Sequence, residues 1–201
     1  MKKDESTEAR ILAAAKKVFV ARGMTGARMQ DIADEAGINK ALLHYYFKNK
    51  EKLFEMIFVE ITMNFFPRMK MIFESDDPLF IKIENFCSAY IDNILSNPYI
   101  PIFVLNEIHQ RPQWFVKKVL KAGPPQLTIF LRQVEESVKT GAIRPVHPMQ
   151  LLLNILSMCI FPFVAKPMLM ALTGIDEPAF RNIMELRKKE IPRFIIDSIK
   201  L

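Results

Sequence analysis

Residues 28 to 52, RMQDIADEAGINKALLHYYFKNKEK, hold two short helical patterns separated by one glycine, and few folds accommodate that spacing. Met29, Ile32, Ala33 and Ala36 recur at helical intervals and stop at Gly37, which can take the left-handed conformation that ends a helix. Ile38 falls in the turn, where it can plug the angle between the helices. Asn39 is a good N-cap for a second helix from Lys40 to Phe47. Leu43 and Phe47, four apart, face inward, which leaves Lys40, Ala41, His44 and Tyr45 largely outside. An outer face so rich in donors and aromatics fits a helix-turn-helix whose second helix enters a DNA groove. The competing reading is two amphipathic helices of an ordinary all-α domain with solvated lysines.

Three further features favour the groove. Lys48, Lys50 and Lys52 come directly after the second helix, where the chain would pass the phosphate backbone. Asn49 can cap a third helix whose exposed N–H groups and dipole favour an anion. The first 52 residues contain 11 Lys+Arg and 7 Asp+Glu, so a net +4 of the chain's +6 lies in its first quarter.

These residues also carry a family resemblance. The segment Ala9 to Phe54 resembles the DNA-binding domain of the TetR (tetracycline-repressor-like) family of bacterial regulators. The matching parts are a first helix ending in VFVARG, then MQDIADEAGI, then NKALLHYYFKNKEKLF. One departure stands out: the family usually caps its second helix with Thr or Ser, a contact worth about 1 kcal/mol, whereas this chain has Ala27 and Arg28. Arg28 can instead reach a phosphate or a guanine edge.

The remainder is expected to be all-α. Six glycines in 201 residues and no Asn-Gly or Asp-Gly dipeptides argue against hairpins. Helix one should run from Thr7 to Arg22, capped by Ser6 and stopped by Gly23. Helix four should start after Asn49, carry Leu53, Phe54, Ile57, Phe58, Ile61 and Phe65 inward, and kink or end near Pro67. Prolines punctuate the C-terminal two thirds: helices are expected from Asp77-Pro78 to Ser96, Pro101 to Gln110, Pro112 to Ala122, and Gln126 to Thr140. Gly123-Pro124-Pro125 should force a turn, and two long helices, Pro148 to Leu172 and Pro178 to Lys200, should finish the chain. The expected division is a helix-turn-helix domain over 1–52, linked through a fourth helix at about 50–66, and a helical regulatory and dimerisation domain over 53–201.

Other classes find little support. Cys87 and Cys159 sit in apolar runs without metal-ligand spacing, which suggests buried free thiols in a reducing cytosol, with a redox sensor as the alternative. MKKDESTEAR has no apolar run behind it, so no signal peptide is expected. Leu151 to Ala165 is apolar but shorter than a span of about 18 to 20 residues, so it should be a buried or interface helix of a soluble, cytoplasmic protein. His44, His109 and His147 have no partner at i+4, and no phosphate loop or nucleophile motif occurs. No metal, cofactor, membrane association or enzymatic activity is expected.

In a major groove the base edges are met by the N-terminal end of the entering helix. Those positions hold Asn39, Lys40 and Ala41, with Leu42 able to touch a thymine methyl. Lys40 suits guanine O6 and N7, and Asn39 suits adenine if it is not committed to capping. The resemblance implies that His44, Tyr45 and Tyr46 contact phosphate or pack the helix in position; Lys48 and Lys50 are expected on the backbone, with Arg28 and Gln30 from helix two. For the C-terminal region the resemblance implies a small-molecule pocket and a dimer interface made by the last two long helices. Candidate pocket residues are Phe65, Met69, Phe86, Tyr90, Phe103, His109, Trp114, Phe130 and Met158, a Phe- and Met-rich set suited to an apolar effector or, equally, to plain core. Candidate interface residues are Leu151, Leu152, Ile155, Ile191, Phe194 and Ile195. The expected function is a homodimeric repressor released from a palindromic DNA operator by a small ligand. The alternatives are a ligand-independent dimeric DNA-binding protein or a helical enzyme.

Overall fold

The computed structural model describes residues 5–98, 100–118 and 126–201. Eleven helices and no strand occur among them: α1 (Glu5–Gly26), α2 (Met29–Glu35), α3 (Lys40–Tyr46), α4 (Lys50–Glu74), α5 (Leu79–Ser96), α6 (Ile100–Gln110), α7 (Pro112–Lys118), α8 (Leu127–Lys139), α9 (Pro148–Val164), α10 (Lys166–Thr173) and α11 (Glu177–Ile199). The expected turn at Gly123-Pro124-Pro125 lies outside the described residues. The chain packs as two compact units, Met1–Asn64 with Ile102–Gly123, and Phe65–Pro101 with Pro124–Leu201.

In the first unit, Ile11, Ala15 and Phe19 of α1, Ile32 and Ala33 of α2, Leu43 of α3, and Leu53, Phe54, Ile57 and Phe58 of α4 are fully buried. Along α1 and α4 these residues recur at intervals of three to four, singly or as adjacent pairs, so each helix turns one apolar face to a shared core. Phe54 meets Phe19 edge-on at 5.0 Å. Phe103 of α6 packs 5.4 Å from Phe58, and Trp114 of α7 lies 5.2 Å from the same ring.

The second unit encloses its own core between α5, α8, α9 and α11. Phe73, near the end of α4, packs 4.9 Å from Phe86 and 5.4 Å from Phe130. Cys87 of α5 and Cys159 of α9 are free and buried, as expected of them. The neighbouring Cys159 thiol, together with burial, pushes the Cys87 thiol far above its ordinary pKa.

Two helix ends differ from expectation. Of the two outcomes expected at Pro67, a kink or an end, the end does not occur: α4 continues through it to Glu74. The helix expected over 148–172 is broken: α9 stops at Val164, Ala165 lies between, and α10 leaves at 68°. Pro167 is the local cause, because its ring excludes a continuing helix and it sits instead in the first turn of α10. Pro162 stays inside α9, where it withholds the N–H that would bond the Met158 carbonyl. Arg187 of α11 supplies the missing donor to that carbonyl at 2.8 Å. No single helix among the described residues is long and apolar enough to cross a membrane.

The interface expectation is corrected as well. Leu151, Leu152, Ile155, Ile191 and Ile195 are at most 3% exposed and belong to the chain's own core, whereas Phe194 is 64% exposed. α9 is apolar on both sides, so periodicity alone does not say which phase faces in. The phase that faces out carries Leu153, Phe161 and Val164, and α11 presents Ile183, Leu186 and Phe194. The buried thiols generate a prediction. A thiol reagent such as dithionitrobenzoate should leave both cysteines unmodified over minutes in the native protein and titrate two on denaturation; rapid native labelling would refute this packing.

Candidate nucleic-acid interface

The α1–α2 turn sets where the site begins. Gly23 takes φ 66°, ψ 179°, so α1 loses helical geometry where the sequence places its stop. The carbonyls beyond that break lack continuing helical N–H partners, and Lys50 answers two of them. Its Nζ donates to Met24 O and Ala27 O, each at 3.0 Å. Lys50 is thereby turned toward its own chain and is not a free backbone contact, which corrects the expectation for it.

α2 starts at Met29 with Arg28 as N-cap. A guanidinium has no acceptor, so Arg28 cannot cap through its side chain. Asp31 compensates by accepting the Arg28 N–H at 3.0 Å and pairing with Arg22 at 2.7 Å. Desolvation acts to raise the Asp31 pKa, but the Arg28 N–H and the Arg22 and Arg28 guanidinium charges overcome it and hold the carboxyl below its ordinary value. At the other end Gly37 adopts φ 64°, its N–H bonding Asp34 O while Ile38 N–H bonds Ala33 O. These two bonds form a Schellman motif, and they fix the angle at which the chain leaves for α3.

Asn39 caps α3, its Oδ1 accepting the Leu42 N–H at 2.7 Å. The condition attached to adenine recognition is therefore not met, since the side chain is committed to the helix. Leu43, Tyr46 and Phe47 are buried, 0%, 7% and 8% exposed. Tyr46 thus takes the packing role of the two left open for it. Lys40, Ala41, His44 and Tyr45 are exposed, Leu42 is half-buried, and Lys48 beyond them is exposed. Tyr45 leans edge-on against Tyr46 at 5.5 Å. On α2, Arg28 and Gln30 are exposed, with the Gln30 amide donating to Asp34 at 2.7 Å. Asn49 caps α4 by accepting from Glu51 N and Lys52 N.

The structure therefore gathers most of the expected DNA-facing residues on one short helix and its flanks. The nine pocket candidates divide between the two units. Phe103 and Trp114 are packed with Phe54 and Phe58 in the first unit, and His109 is exposed there. Phe65, Met69, Phe86, Tyr90, Phe130 and Met158 belong to the second unit; Tyr90 lies 5.3 Å from Phe65 and 5.4 Å from Phe86. The backbone contacts made by Lys50 and Asp31 do not show in residue spacing. A lysine or carboxylate bound to backbone has the same sequence signature as a solvated one.

A short helix with an exposed polar face, seated on a tight turn after a capped partner, defines a helix-turn-helix DNA-binding protein. Residues 11–57 match the profile of bacterial regulatory proteins, tetR family. The chain is 28% identical to the HTH-type transcriptional regulator RutR of Escherichia coli K12, over 94% of this chain and 89% of RutR. Against the HTH-type transcriptional repressor NicS of Pseudomonas putida it is 41% identical over 30% of this chain and 29% of NicS. Among solved structures, the ketosteroid transcriptional regulator KstR2 of Mycobacterium tuberculosis shares the fold, with TM-score 0.70 and 16% identity over 99% of this chain and 97% of KstR2. Residues 11–57 thus carry the DNA-binding segment of the tetR-family profile, and the chain is a DNA-binding transcriptional regulator.

The turn and the cap each yield an expected outcome. Lys50→Met should lower unfolding free energy by about 1–3 kcal/mol, because it removes charge-assisted bonds to two carbonyls; chemical denaturation measures this. Asp31 contributes stability that is complete above the ordinary carboxylate pKa of about 3.9 and is lost as pH falls through its lowered native value. Wild type should therefore lose more stability than Asp31→Asn between pH 6 and pH 3 in parallel melts.

Proposed function

We propose that the chain is a homodimeric repressor that occupies a near-palindromic operator and is released by a small, largely apolar ligand. In this proposal residues 1–52 form the reader, α4 links it to the rest, and residues 53–201 regulate and dimerise. The exposed face of α3 carries the proposal: Lys40, Ala41, His44 and Tyr45 point outward while Leu43, Tyr46 and Phe47 are anchored. Lys40 and Ala41 stand at the end of the helix that meets base edges, and Lys40 matches guanine O6 and N7. Leu42 offers partial contact to a thymine methyl. His44, Tyr45, Lys48, Arg28 and Gln30 flank that end and suit phosphates, which fix register.

One reader makes few contacts, so useful specificity calls for two, related by the twofold axis of a dimer. The outward apolar faces of α9 and α11, with Phe161 and Leu186 at 55% and 59% exposure and Phe194 beside them, support a second copy as the occupant. For the effector, the second unit supplies aromatic and thioether surface from Phe65, Met69, Phe86, Tyr90, Phe130 and Met158. That lining favours an apolar molecule, and the ketosteroid after which the KstR2 regulator is described is of that class. Release is then a population shift: the ligand binds better the state whose reader spacing misses successive grooves.

The test is selection of genomic fragments by the purified protein, followed by binding titrations on the operator recovered. Lys40→Ala with His44→Ala should weaken operator binding at least tenfold. Lys48→Ala should weaken all sequences alike and flatten the salt dependence by about one unit of slope. Phe194→Asp should convert a dimer to a monomer in sedimentation. Unchanged affinity in the Lys40/His44 variant would overturn the placement of α3.

A further inference from the structure

Glu107 of α6 is a carboxylate with 1% of its surface exposed, and DNA contact gives it no task. Its Oε1 accepts the backbone N–H of Met24 at 3.2 Å. Its Oε2 accepts Arg111 Nε at 3.1 Å and a second nitrogen of the same guanidinium. Arg111 is held in turn between two rings, its Cζ 4.8 Å from the centroids of both Phe54 and Trp114. All of these residues belong to the first packed unit.

Met24 lies in the turn where α1 gives way to α2. Two groups hold that turn from different helices: Lys50 of α4 takes the Met24 and Ala27 carbonyls, and Glu107 of α6 takes the Met24 N–H. The peptide groups of one residue are thus gripped on both their donor and acceptor sides. What the turn controls is the start of α2, and α2 delivers the chain through Gly37 to the recognition helix.

We propose that Glu107, with Arg111 orienting it, is a positioning residue for the DNA reader, holding the 23–27 turn so that α2 and α3 present their polar faces in the binding orientation. Burying the Glu107 carboxylate is an inefficient way to gain stability, since its desolvation offsets much of its attraction to Arg111, whose side chain stays 31% exposed. A packed apolar pair of similar volume would hold α6 as well. It would not hold the Met24 N–H, whose direction the carboxylate specifies. Arg111 serves by fixing the carboxylate through two bonds while its own plane is clamped by Phe54 and Trp114.

The proposal rests on α3 being the DNA-contacting helix, and the experiment separates the two. Operator affinity and thermal unfolding are measured for wild type, the Lys40→Ala/His44→Ala variant, Glu107→Gln, Glu107→Ala and the double variant Glu107→Leu/Arg111→Met. The double variant should melt at or above the wild-type temperature yet bind operator at least fivefold more weakly. Hydrogen exchange at the Met24 amide should be faster in it. Glu107→Gln keeps an acceptor for Met24 and should retain more affinity than Glu107→Ala. If Lys40→Ala/His44→Ala loses affinity while the double variant binds as wild type, positioning by Glu107 is overturned and the α3 assignment stands. If neither loses affinity, the α3 assignment fails, and this proposal with it. Should the double variant not fold, equal affinities for Glu107→Gln and Glu107→Ala would overturn the proposal.

Discussion

The α3 helix, proposed above to meet DNA, depends on burial of Leu43, Tyr46 and Phe47, with α2 packed beside it. Seven residues are too few for a helix to persist in water unaided, because nucleation costs more than two turns of hydrogen bonds return. Anchoring one face settles both questions at once. The helix exists because that face is buried, and its polar face points outward because the opposite one is anchored. Asn39 and the Gly37 turn then reduce the remaining freedom to a single entry angle.

Polar groups of the first unit repeatedly serve backbone geometry before they serve anything outside. Lys50 closes carbonyls left open by the Gly23 break, Asp31 substitutes for a cap that Arg28 cannot provide, and Glu107 fixes one amide of the same turn. The second unit shows the same economy where Arg187 satisfies the carbonyl that Pro162 leaves open. In each case a break in helical hydrogen bonding is matched by one long or charged side chain, from the same helix for Asp31 and from another element for Lys50, Glu107 and Arg187, because an unpaired backbone group is costly.

Much of this was legible in residue order. Gly23, Gly37 and Gly141 marked helix ends, and all three adopt positive φ. Asn39 and Asn49 were recognisable caps, Pro78 and Pro112 marked helix starts, and the apolar stripes of α1 to α4 had one unambiguous phase. Legibility failed where a helix is apolar on more than one side, as in α9, since a core stripe and a partner stripe then look alike. It failed again for Lys50, whose place in a basic run suggested phosphate. Pro167 divides the long helix in two, although the apolar pattern runs on across it.

Sequence by itself determined the helix-turn-helix, because caps, left-handed glycines and short apolar repeats are local features whose effect does not depend on distant residues. The same segment carries the likeness to the tetR-family profile, and the lack of hairpin chemistry pointed to an all-α fold. Only the tertiary structure decided which face of α9 and α11 is core, which lysine turns inward, and that residues some eighty positions apart, Met24 and Glu107, share a hydrogen bond. Those outcomes depend on which surfaces meet after the helices pack, and no local pattern encodes that competition.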